Sequence, residues 1–275
     1  HAVAYANGAV WWMSAEGGFF VFDGTVKSLP SLVEDFVFTT AGTNLGIQYQ
    51  SSDIVYASPN SLYTEINWFY PKSGSTQIDR CVTYNYSEQV WTTSSLARSS
   101  YQDQGVYDLP YASEYDTTAT PVFSPISGIT NKWGASMYFA HETGVDQVDS
   151  AGTTAIAAYI RSGDYDITMK RSALGQSTGL VNYRGDGEYF MAVRRFIPDF
   201  KFQTGDAKIT LYISDYPADS ATTSPLGPFT VSATTDKVDT RARGRLVSVN
   251  IENDSTGQTW RYGTLRLDAQ ADGRR

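Results

Sequence analysis

The residues with the chemistry to catalyse are few. Histidine occurs twice, at His1 and His141, and Cys81 is the single cysteine. One internal histidine without a cysteine pair builds no four-ligand zinc centre. No serine and aspartate stand at a spacing that would recruit His141 into a nucleophilic triad. His141 sits beside Glu142 in a turn between strand-like runs, where a solvated or turn-bonded side chain is expected. Paired carboxylates remain, because two acids flanking a sugar suffice for glycoside hydrolysis. The candidates are Asp103 with Asp108, Glu114 with Asp116, and Asp146 with Asp149. An acidic chain produces such neighbours by composition alone, and no spacing rule separates a working pair from solvated loop acids. Asp164, Asp166 and Asp186 lie near glycines but lack the Asp-x-Asp-x-Asp-Gly run and closing glutamate of a calcium loop. No glycine-rich phosphate cradle occurs. Arg184-Gly-Asp186 spells an integrin-type tripeptide too short to be specific, and Asn85-Tyr-Ser87 and Asn253-Asp-Ser255 are glycosylation sequons in form only. Cys81 lies in an alternating strand and is expected as a small buried core residue. The reading is of a protein with no catalytic residue, no cofactor and no metal site.

Arginine is the residue type that stands out instead. Arg241, Arg243 and Arg245 alternate along a strand-like run and share one face of it. Arg194 and Arg195 are adjacent, which breaks strand alternation, so one of them must point inward or sit at a bulge. Guanidinium groups are fixed forks that pair with carboxylates or phosphates. These five arginines are therefore the candidate inter-subunit interface. A solvated face of weak ion pairs accounts for them equally, and contact with a DNA backbone is a third option. Charge weighs against DNA. Residues 1–187 carry 9 Lys/Arg and 18 Asp/Glu, a net of −9, whereas residues 188–275 carry 12 and 11, a net of +1. An acidic body repels nucleic acid and anionic lipid.

The elements that must position these groups are strands. The chain of 275 residues has 19 Tyr, 13 Phe and 6 Trp, a composition suited to half-buried pleated surfaces. Strand pairs joined by glycine-rich turns are expected at 9–13 with 19–22, at 66–70 with 81–85, and at 136–140 with 145–149. A further strand is expected at 53–57, a short helix at 29–36, and long loops with a strand or two over 97–132. This repeated aromatic hairpin fits β-propeller blades, small sheets that bury their faces by stacking. A meander in a sandwich yields the same hairpins. Residues 162–187 are rich in glycine and serine and mark a boundary. The chain thus reads as all-β: propeller-like repeats over 1–187, incomplete at the N-terminus, and a small antiparallel sandwich or barrel over 188–275. In the second part 246–251 alternates apolar and polar residues, as a strand with one buried and one wet face does.

Several of these runs carry a resemblance. Residues 79–86 with Val90-Trp91, 157–164, Val193-Arg-Arg-Phe-Ile-Pro-Asp-Phe200, Gly227-Pro-Phe-Thr230, Arg241-Ala-Arg-Gly-Arg245 and the ending from Trp260-Arg-Tyr-Gly to Arg275 resemble the tail hub, nozzle or packaged-DNA stabilisation proteins of short-tailed bacteriophages. The resemblance spans about residues 79–275 and is strongest from 193. It implies a propeller protein of the virion, made in the host cytoplasm, repeated as a ring around the tail axis and closing the DNA exit channel. It implies as partners other copies of the chain, the adaptor and the needle, fibre or tailspike, with double-stranded DNA passing through without specific binding. It brings no active site and no cofactor. A glycan-binding or glycan-cleaving propeller is the alternative, and a surface adhesion module a further one.

Overall fold

In a computed structural model the chain is all-β, with several antiparallel sheets and none of them closed among the described residues. The structure describes residues 2–116, 135–149, 152–167, 189–216 and 224–274. They fall into two compact units, His1–Thr143 and Gly144–Arg275. This division comes earlier in the chain than position 187/188, the boundary drawn from composition, which lies within a stretch outside the described residues. Among the described residues no helix is long and apolar enough to cross a membrane.

The first unit begins with β1 (Val3–Ala6), β2 (Ala9–Met13), β3 (Phe19–Phe22) and β4 (Val26–Ser28), a four-stranded meander in chain order. Asn7 and Gly8 both have positive φ in the first hairpin, the backbone that a two-residue Asn-Gly turn demands. A short helix α1 (Glu34–Phe38) and a 3-10 turn (Tyr49–Ile54) lead to a second meander, β5 (Tyr56–Asn60), β6 (Glu65–Tyr70), β7 (Arg80–Asn85) and β8 (Val90–Ser94). In the expected strand at 53–57, Asp53 and Ile54 instead end the 3-10 turn, and the strand starts at Tyr56. A third sheet is β9 (Ser100–Gln102), β10 (Tyr111–Asp116) and β11 (Ala135–Ala140), with β10 in the middle. The second sheet is covered on both faces, and its period of two decides what each side receives. Ile66, Trp68 and Tyr70 join Trp11, Phe19 and Val82 in one cluster with the first sheet. Phe69 and Cys81 face the other way and pack against Tyr101 of β9. Trp68 and Phe69 are fully buried; burying a side chain of this size contributes roughly 3 kcal/mol. Cys81 is the buried core residue expected, and burial pushes its thiol up to about 12.

The second unit contains β12 (Asp146–Asp149), β13 (Gly152–Ala155), β14 (Tyr159–Arg161), β15 (Tyr189–Ile197), β16 (Phe200–Thr204), β17 (Ala207–Ser214), β18 (Ser224–Val231), β19 (Val238–Gly244), β20 (Leu246–Glu252), β21 (Thr259–Tyr262) and β22 (Arg266–Arg274). One sheet runs β14-β20-β17-β18 and another β19-β15-β22, with β12-β13 and β16-β21 as two-stranded ribbons. Met191, Val193 and Phe196 of β15 pack with Ile209 and Leu211 of β17 and with Val247, Val249 and Ile251 of β20. The two larger sheets thus share one core.

Two expectations are corrected. The third hairpin does not form: β11 pairs with β10, and β12 pairs with β13. Both strands are there, but each finds a different partner. The strand at 246–251 has no wet face either. Ser248 and Asn250 are 2% and 6% exposed, because β20 is flanked by a strand on each edge and covered on both sides.

Candidate functional site

The five arginines lie on or beside the sheet β19-β15-β22. The register slips between Val193 and Arg195 against both neighbouring strands: against β22 Arg194 is the extra residue, the bulge that the adjacent charges required, whereas against β19 the extra residue lies on β19. Arg195 then falls opposite Asp239 on one side and Asp268 on the other, 3.5 Å from each carboxylate. Arg243 Nε donates to Asp272 Oδ2 at 2.6 Å, and its guanidinium lies 4.2 Å from the centre of the Phe190 ring. Arg245 approaches the same ring at 5.0 Å. Arg195 and Arg243 are thus engaged within the chain. Arg194 and Arg241 are exposed and make no ion pair with the described residues. The intrachain pairs are half-exposed, where such contacts contribute between nothing and about 1 kcal/mol each.

Of the carboxylate pairs named from spacing, only Asp103 and Asp108 have both side chains among the described residues. Asp103 Oδ1 accepts from the backbone N–H of Ser61 and of Gln104, at 3.1 and 2.8 Å. Asp108 lines an open depression with Ser61, Gln104 and Tyr107. Glu114 is bound to Arg98 at 3.0 Å, and both oxygens of Asp146 accept from Gly257 N. The side chains of Asp116 and Asp149 lie outside the described residues, as do Arg184 and Asp186. Asn253 is buried, donating to Ile156 O and accepting from Trp260 Nε1, so that sequon is a structural bond. Asn85 caps its own turn, accepting from the N–H groups of Ser87 and Glu88. Among the described residues no three metal-binding side chains come together.

The structure gathers a different set between the second and third sheets. The face of the second sheet that carries Phe69 and Cys81 also carries Tyr56, Ser58 and Asn60 of β5 and Glu65 and Asn67 of β6. Tyr56 Oη donates to Arg98 O at 3.1 Å, and Ser58 Oγ to Tyr101 O at 3.3 Å. Arg98 is only 6% exposed. Its Nη1 donates to Glu114 Oε2, its Nε donates to His141 Nε2 at 2.9 Å, and its plane covers Phe139 at 3.9 Å. His141 is therefore neither solvated nor an isolated turn residue. It is a neutral acceptor, lowered to about 4 by burial and by the neighbouring Arg98 charge. Next to it, Asn60 Nδ2 donates to Glu142 Oε1 at 3.0 Å and to Glu65 Oε2 at 3.3 Å. Burial, with the Glu142 charge second, raises Glu65 to about 7, and burial raises Glu142 as well. Sequence reasoning missed Asn60, Glu65 and Arg98. They meet His141 and Glu142 only across sheet-to-sheet packing, and no local spacing announces that.

No protein-family model matches the chain, and no characterised protein matches it by sequence.

Proposed function

We propose that the chain is a structural subunit of a short-tailed bacteriophage tail, a hub or nozzle protein that helps close the DNA exit channel and lets DNA pass during ejection. Its first three sheets act as propeller-like blades in a ring of copies. The resemblance over residues 79–275 points to this family. Two successive four-stranded meanders stacked face to face are the unit a propeller repeats. The acidic body suits a channel in which phosphate must not stick.

The observation that carries the reading is the outer face of the first sheet. Pairing places Val3, Trp12, Phe20 and Ser28 in one row and Tyr5, Val10, Phe22 and Val26 in the next. Seven of these eight residues are apolar or aromatic, and Tyr5 and Val26 are 70% and 65% exposed. An antiparallel sheet that meets water on one side carries polar residues there. This one is built as an inner layer, and contiguous apolar surface of this kind marks a contact. A neighbouring copy in the ring covers it. Sedimentation velocity tests the claim. The wild-type chain forms a discrete oligomer, and Tyr5→Lys with Val26→Lys lowers its mass to the monomer while circular dichroism keeps the β signal. An oligomer that survives both lysines removes this face from the assembly.

The glycan-cleaving alternative draws on Glu65, raised toward neutrality beside a second carboxylate, as a general acid is. Against it, both carboxylates are tied to one buried amide, and neither lines the open depression beside Ser61.

A further inference from the structure

The turn that ends the first unit is held at two consecutive residues, His141 by Arg98 and Glu142 by Asn60. Because Asn60 Nδ2 also donates to Glu65, two carboxylates meet on one amide nitrogen. Asn60 is 2% exposed, so the bridge is fixed from the β5 side. Glu142 reaches it in the left-handed region, at φ 61, a backbone that non-glycine residues hold only where surrounding contacts compensate. The other groups that act on this pair are Tyr101 of β9, with Asp103 beyond it, and Cys81 of β7, none of them cationic at neutral pH. The nearby guanidinium of Arg98 is matched by Glu114 at 3.0 Å. Among the described residues no lysine or arginine makes an ion pair with Glu65 or Glu142. Two unneutralised carboxylates on one buried amide repel, so the bridge closes fully only when one of them carries a proton.

We propose that Glu65, Asn60 and Glu142 form a pH-sensitive clamp on the turn that follows β11. One proton taken up from solvent by a carboxylate oxygen closes the turn onto β5. Its return to solvent lets Glu142 go and loosens the turn at residues 141–142. The rise of Glu65 to about 7 sets the change near neutral pH, and burial moves Glu142 in the same direction. The clamp stands on contacts inside the first unit and does not depend on the tail reading.

Backbone amide exchange on the full chain tests it. The amide of His141 donates to Pro110 O at 2.8 Å and reports the closed turn. After correction for intrinsic rates, its protection falls about tenfold from the acid to the alkaline side of neutrality, the weight of one pKa unit. In Glu65→Gln, which removes a charge and keeps a side chain of the same shape, protection stays high at both pH values. Glu142→Gln behaves the same way. Wild-type protection that does not change with pH overturns the clamp, and so does a pH dependence that persists in both variants.

Discussion

Glu65 and His141 belong to one buried cluster and titrate in opposite senses. Glu65 moves from 4.5 up to about 7 on folding. The folded state holds its proton longer than the unfolded chain, so this acid lowers stability as pH rises through that window. His141 moves from 6.5 down to about 4. Here the unfolded chain binds the proton first, so stability is lost as pH falls from 6.5 toward 4. Where the windows overlap the two slopes oppose each other. Urea midpoints across this range are therefore flat in the wild-type chain. In Glu65→Gln they rise with pH up to 6.5, and in His141→Gln they fall with pH up to 7. The same sign of slope in both variants would show that these side chains do not titrate against each other. Part of this chemistry was legible in the sequence. A buried Cys81 and a bulge at the adjacent arginines followed from strand alternation, which is local. The cluster was not legible, because Asn60, Arg98 and His141 come from distant parts of the chain and meet only when two sheets stack.

Among the elements, local signals were strong where one hairpin satisfies itself. The pairs β2-β3 and β6-β7 lie where glycine-rich turns between aromatic strands put them. The signal failed at β11 and β12, where the turn residues at 141–144 looked like a hairpin yet join two units. It failed again at β20, whose alternation of polar and apolar residues concealed a strand buried on both sides. Polar atoms there are tolerated because they find partners: Asn250 Nδ2, for example, donates to Glu252 Oε2 at 2.9 Å. Close backbone approach gives a prediction at this scale. A Cβ added at Gly46 would stand 2.8 Å from the carbonyl carbon of Thr39 and 2.9 Å from its oxygen, and backbone cannot swing aside as a side-chain tip can. Gly46→Ala is expected to cost about 2 kcal/mol, measured as a shift in the denaturant midpoint. Gly163→Ala, with nothing within 4 Å, leaves the midpoint within roughly 0.5 kcal/mol. Equal effects would mean that the segment at Thr39 yields freely.

For the molecule as a whole, composition indicated an all-β chain, and the sheets bear that out. What composition left open is how layers close on one another. Stacking is set by which faces are apolar, and that becomes visible only once register is known. Pairing turns scattered residues such as Val3, Tyr5, Phe22 and Val26 into one continuous face. That face, and not any catalytic group, is what the proposed role rests on. Its most direct test is electron microscopy of the purified chain, averaged to a resolution at which sheets are traced. Closed rings with the outer face of β1–β4 buried at the contact between copies are the predicted result. Single particles that leave Tyr5 and Val26 in water, with a saccharide held between Glu65 and Glu142, would contradict it.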